Sequence, residues 1–223
     1  MSLKLVMVTT KINTNYIKNM AYTFILKENI TSLPINALAI LRRRKYYLRP
    51  YEQFHIFNAT PEQIICAFGN AFVYPTRSAT TPYGLGINMK CSFLERNWSI
   101  MHELGHIELG HVTHLMSASG SYDDVVIWAE REVELFCMYV MCPDVILQEL
   151  NICSLEDIQR TCLIPRRKAE EKLDYFKSLE YKLKSFAPAT PLEKNVRYNF
   201  RKYIDDYNSK QSCSWEFSAE LSF

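Results

Sequence analysis

The sequence predicts an α+β fold in which a small antiparallel sheet precedes one helix carrying chemistry, and a mainly helical C-terminal region follows. Three observations carry that prediction. Two short strand-like pieces, Ala71-Phe72-Val73-Tyr74 and Leu85-Gly86-Ile87-Asn88-Met89-Lys90, stand on either side of a Thr/Ser/Pro-rich loop at 75–84. Stretches with helical apolar periodicity and capping signals surround them. After the second strand comes His102-Glu103-Leu104-Gly105-His106. On a helix this spacing sets two imidazoles one turn apart on one face.

Taken in order, residues 33–44 read as a first helix, with Pro34 in its opening turn and Arg42-Arg43-Arg44-Lys45 near its C-terminal end. That basic run reads as a solvated face rather than a nucleic-acid grip. Thr60-Pro61-Glu62 opens a second helix that Gly69 should stop. Ser92-Phe93-Leu94-Glu95 matches a capping box, so the helix of the pentad begins near 93, and Gly110 ends it. A long helix is expected over 123–142, closed by Pro143. Ser154 caps a short helix, and Pro165 opens another through about 184. Residues 187–195 read as a linker, before a helical segment around 196–203 and an alternating tail, Trp215 to Leu221.

A chain of 223 residues with 48% apolar and 22% charged side chains suits one domain with a small appendage. A net charge of +2 gives no electrostatic drive toward nucleic acid or membrane. The first ten residues lack the pattern of a secretion signal, and the longest apolar run, Leu135 to Cys142, falls far short of a membrane span. Seven cysteines without any Cys-x-x-Cys spacing read as reduced thiols, which places the protein in the cytoplasm.

The pentad is an HExxH pattern: two zinc-ligand histidines, His102 and His106, with Glu103 beside them as general base. A third ligand is needed. The metzincin continuation demands Gly at 109 and His at 112, where this chain has Leu109 and Val112. His111 lies five residues past His106, about 500° of helical rotation, and leaves the ligand face if the helix continues. A glutamate from the 123–142 helix is the alternative. Glu132 shares a face with Trp128, Ala129, Leu135, Phe136 and Tyr139, whereas Glu130 and Glu134 lie on another. A carboxylate in an apolar stripe needs compensation, and a zinc ion supplies it. Glu132 is therefore the expected third ligand. His111, His114, Tyr122 and Tyr139 stand as candidates to stabilise an oxyanion. A strand just before such a helix suits a zincin-like domain, where an edge strand can bind peptide by strand addition.

The stretch Arg96 to His111 resembles the HELGHxxLxH block of ImmA/IrrE metallo-endopeptidases, and Glu132 to Pro143 is similar to that family's second block. Val133, Glu134 and Cys137 depart from its usual residues. The resemblance implies His102, His106 and Glu132 as zinc ligands, Glu103 as catalytic base, and a helix-turn-helix repressor of a phage or mobile element as the protein substrate. It divides the chain into an N-terminal extension (1–32), a zincin-like metallopeptidase core (33–145), a helical pair (146–186) and a C-terminal segment (187–223). Within the pair, Pro165-Arg166-Arg167-Lys168 could open a DNA-reading helix. Glu170, Glu171 and Asp174 mix its charge and favour packing or repressor docking over direct nucleic-acid contact. The competing function is a DNA-binding or metal-sensing regulator whose zincin-like domain does not cleave.

Overall fold

A computed structural model describes residues 12–54, 59–112, 122–178, 181 and 187–220, with side chains described for these except 122–125 and 211–220. The chain joins its core earlier than expected. Helix α1, Thr14–Lys27, lies inside the segment read as an extension. Asn13 caps it by accepting from the Tyr16 N–H. Ile17, Ala21, Phe24 and Ile25 recur at helical spacing and are buried. Helix α2, Ala37–Arg43, is shorter than expected because Asn36, rather than the residues around Pro34, supplies the N-cap. Asn97 fastens its start: its Oδ1 accepts from Ala37 N–H and its Nδ2 donates to the Ile35 carbonyl, both at 2.9 Å.

Three short strands follow: β1, Tyr47–Pro50; β2, Ala71–Pro75; and β3, Tyr83–Ile87. Helix α3, Pro61–Phe68, sits between the first two, with the Thr60 cap and Gly69 stop that the sequence indicated, and Gln63 completes the cap as a capping box. The sheet runs β1-β3-β2. It is mixed rather than antiparallel: β1 pairs with β3 in parallel, β2 with β3 antiparallel. The correction comes from β1, which carries no alternation to read, being four residues behind a basic run and closed by Pro50.

Helix α4, Phe93–Glu108, starts from Ser92, whose side chain accepts from the Glu95 N–H. Helix α5, Tyr122–Met141, packs on both α1 and α4. Short helices α6, Asp144–Glu149, and α7, Leu155–Cys162, lead to α8, Arg166–Lys177, which stops at Ser178 rather than near 184. Helix α9, Pro191–Glu220, absorbs half of the expected linker and all but the last residue of the alternating tail. It packs against α1 and α6. A single buried cluster runs from Ile17 through Leu85, Leu104 and Val140 to Phe200 and Ile204, so both expected end segments share the core of the middle. Among the described residues no helix is long and apolar enough to cross a membrane.

Candidate metal centre

The Ser92 cap fixes where α4 begins, and ten residues later its register delivers His102 and His106 to one face. Their Nε2 atoms stand 3.1 Å apart. Between them Gly105 faces α5. A Cβ there would meet Phe136 Cδ1 at 3.1 Å and Val133 Cγ1 at 3.2 Å, so the missing side chain lets the two helices close on each other. That approach brings Glu130 across. Its Oε2 lies 3.1 Å from His102 Nε2 and its Oε1 3.3 Å from His106 Nε2.

The three side chains form the cluster that could hold a metal ion among the described residues. Donor atoms bound tetrahedrally at ~2.0–2.1 Å stand ~3.3–3.4 Å from one another. The two imidazole nitrogens are 3.1 Å apart and Glu130 meets each with a different oxygen, Oε2 at 3.1 Å and Oε1 at 3.3 Å, so one donor atom from each side chain lies within 4.8 Å of the others. Electrostatics agree with the geometry. Hydrogen bonds with His102 and His106 hold the Glu130 carboxyl far below the usual carboxylate range. Burial opposes charge on His102, yet the bond to Glu130 and the fields of Glu103, Glu130 and Glu134 raise it above the usual imidazole value.

Glu130, not Glu132, is the carboxylate brought to both histidines. Glu132 lies elsewhere, with its Oε2 3.1 Å from His111 Nε2. Glu132 stands on the flank that the apolar stripe pointed to, and the two histidines meet the other. The buried axis of α5 runs through Ala129, Val133, Phe136 and Val140, with Glu130 and Glu132 on opposite shoulders. Trp128 and Leu135, which defined the apolar face of Glu132, are only half-buried. The histidines of α4 sit over the shoulder of Glu130.

Glu103, next to His102 in the chain, lines the same groove as the two histidines and is 7% exposed. Burial raises its carboxyl above the ordinary value, against the pull of His102 and His106 and of a hydrogen bond from the Val73 backbone. That last contact ties the base to β2. Asn88 N–H donates to Asn70 O and Thr76 N–H to Pro82 O, so even-numbered residues of β2 bond to β3. By alternation the backbones of Ala71 and Val73 face away from the sheet. They face a groove of about 690 Å³ whose walls include Phe68, Phe72, Tyr74, His102, Glu103 and Glu130. The strand along the groove is thus β2, while β3, next in sequence to α4, is central.

His111 is buried behind His106, with Nδ1 to Nδ1 at 3.2 Å. The helix does not continue to it. Leu109 closes α4, and Gly110 takes φ 78°, a left-handed turn that swings His111 back under the site. Sequence spacing alone missed this partner; Gly110 was the available signal. Of the other oxyanion candidates, Tyr139 is 4% exposed and packs beside Tyr22 and Lys172. His114 and the Tyr122 side chain lie outside the described residues. Glu134 approaches His102 Nδ1 at 3.7 Å and accepts from Lys168 Nζ at 2.6 Å. Arg166 and Arg167 pair with Glu170 and Glu171 of their own helix.

Fold and site together define an α+β chain with a candidate two-histidine, one-carboxylate metal centre at the edge of a small sheet. Among known proteins, no family model, no curated protein and no solved structure matches the chain.

Proposed function

We propose that this chain is a zinc-dependent endopeptidase whose ligands are His102, His106 and Glu130 and whose base is Glu103. One observation carries the reading: two imidazoles and a carboxylate, with donor atoms within 4.8 Å of one another, stand next to a buried carboxyl and open on a groove bounded by an edge strand. Two imidazoles and a carboxylate suit zinc and leave a fourth position open. A zinc ion bound there supplies Lewis acidity and a bound water with a pKa near ~7. Glu103 stands one residue from a ligand, where its carboxylate receives the water proton and returns it to the departing amine. Its raised pKa suits a group that must hold that proton between the two transfers. The outward backbone of Ala71 and the Val73 carbonyl offer an extended peptide a strand to pair with, which lays the scissile bond across the groove.

The resemblance of residues 96–111 and 132–143 to ImmA/IrrE endopeptidases supports a helix-turn-helix repressor of a phage or mobile element as substrate, met in the cytoplasm. The paired arginines of α8 leave little free positive charge for DNA, which favours protein docking over nucleic-acid binding. The test incubates the repressor encoded beside this protein with wild type and with Glu103→Gln, zinc content being measured in both. Cleavage by wild type and a loss of at least about 100-fold in the zinc-loaded variant are expected. Equal cleavage by both would remove Glu103 as base.

A further inference from the structure

Two glycines of β3 shape the groove beside the metal centre. Gly84 lies opposite Tyr74 and Gly86 opposite Phe72 in the sheet register. A Cβ on Gly86 would come within 2.5 Å of Phe72 Cε1, and one on Gly84 would overlap the Tyr74 ring. Both rings therefore lean inward over the β3 backbone, away from the free edge of β2. Leu85 and Ile87 alternate with the glycines and are buried in the core on the other face. We propose that Phe68, Phe72 and Tyr74 form a subsite that selects extended peptides carrying aromatic or large aliphatic side chains at alternate positions, with Phe68 as the specificity-determining residue. The inference rests on the peptidase reading, whose substrate class it narrows.

A strand paired with the free edge of β2 runs about 4.8 Å from it and puts successive side chains on opposite faces. Side chains beside Ala71 and Val73 share the face of the core, to which α4 and its histidines belong. Side chains beside Phe72 and Tyr74 share the other face, where the rings stand. Residues directly across a strand pair have Cβ atoms ~4.5–5.5 Å apart, close enough for an aromatic or branched side chain to lie on Phe72. Phe68 reaches the same place from the end of α3. Its ring centroid is 4.8 Å from that of Phe72, and it is 52% exposed. All three rings line the groove that holds His102, Glu103 and Glu130.

Two further observations belong to the same wall. It is anchored from beneath by Tyr51, which is buried. The Tyr51 ring stacks on Phe72 at 5.8 Å, and its hydroxyl donates to the Gly69 carbonyl at 3.1 Å, which fixes the end of α3 that carries Phe68. Charge is also divided across the groove. Among the described lining residues the imidazoles and carboxylates are His102, Glu103, His106 and Glu130, all at the metal centre. A Lys, Asp or Glu side chain laid on the aromatic wall would lose water without gaining a partner, whereas an apolar one is stabilised by burial.

The test uses the zinc-loaded full chain. Fluorescein-labelled decapeptides that alternate Thr with Phe, Ser or Lys are titrated against Glu103→Gln, which holds them uncut, and anisotropy reads binding. Zinc content and circular dichroism of every protein check that the metal centre and the fold survive. The Phe peptide should bind at least about 10-fold more tightly than the Ser peptide. In the same background Phe68→Ser should bring the two peptides within a few-fold of each other. Phe68→Glu should favour the Lys peptide over the Phe peptide, a reversal that a merely structural role of Phe68 would not produce. No binding of any peptide, or equal binding of the Phe and Ser peptides, overturns the subsite. A preference left unchanged by Phe68→Ser, or a Lys peptide not favoured by Phe68→Glu, overturns Phe68 as the residue that decides. Cleavage of the same peptides with Glu103 intact reads the peptidase separately. Failure to cut any of them while the binding preference persists overturns the peptidase reading and leaves a peptide-binding groove, whereas cutting all three at one rate overturns the subsite and leaves the peptidase standing.

Discussion

Glu130 and Glu132 are two residues apart on one helix and have the same side chain, yet the fold gives them different work. Glu130 completes the donor set while keeping 49% of its side chain exposed, so a water or a peptide carbonyl can reach the same spot. A carboxylate there needs no apolar stripe around it, because groove water solvates whatever the imidazoles do not. Replacing Glu130 by Ala should abolish stoichiometric zinc, read by metal analysis after dialysis, while the metal-free variant keeps its helical circular dichroism. The two histidines then lack a third anchor and drop toward the weak binding of an i, i+4 pair. Full zinc occupancy in that variant would show that His102, His106 and Glu130 are not the ligand set.

At the scale of elements, caps and turns decide what reaches the site. Most of them are visible in the sequence. Thr60 with Pro61, Ser92 and Gly110 mark three helix ends that the structure has within a residue. The HExxH register follows from the Ser92 start alone. What stayed hidden depends on neighbours. Strand β1 exists because β3 offers it a parallel edge, and α9 runs from Pro191 through all but the last residue of the alternating tail. The shoulder of α5 that meets α4 is chosen by the fit of Gly105 against Val133 and Phe136, a tertiary fact with no local signature. Two substitutions probe this level. Gly110→Ala puts a side chain at φ 78° and should cost about 1–2 kcal/mol in a denaturant melt. It should also weaken zinc binding by displacing His111, unlike Ser92→Ala, which should cost about 1 kcal/mol with zinc affinity unchanged. Equal effects of both on affinity would mean that Gly110 acts only through stability.

Over the whole molecule, the metal helices are braced by segments far away in sequence. Lys172 of α8 is fully buried and pairs with Asp144 at the start of α6, among Tyr139, Tyr175 and Phe176. Removing one partner strands the other charge in the core, so Lys172→Met should destabilise by ~3–5 kcal/mol. Adding Asp144→Val should restore much of that loss, and a double variant no better than the single would place the cost in packing instead. The chain ends are joined by a second pair, Lys18 of α1 with Glu193 of α9 at 2.5 Å. Burial pushes the Glu193 carboxyl up, but the bond from Lys18 and the contacts with Thr190 win and hold it below the usual value of about 4.5. A carboxyl lowered in the folded state stabilises fully above about 4.5, where both states are ionised. As pH falls below that point the unfolded chain takes up the proton first, and the stabilisation drains away until the folded carboxyl is protonated too. Other acidic groups, Glu130 among them, titrate in the same window, so the wild-type curve alone cannot isolate this pair. The difference between wild type and Lys18→Met can, because distant contributions are nearly additive and cancel. With zinc chelated, the advantage of wild type over Lys18→Met should be constant above pH 4.5 and shrink below it. Parallel melting curves across that window would mean that the pair between α1 and α9 does not hold the ends of the chain together.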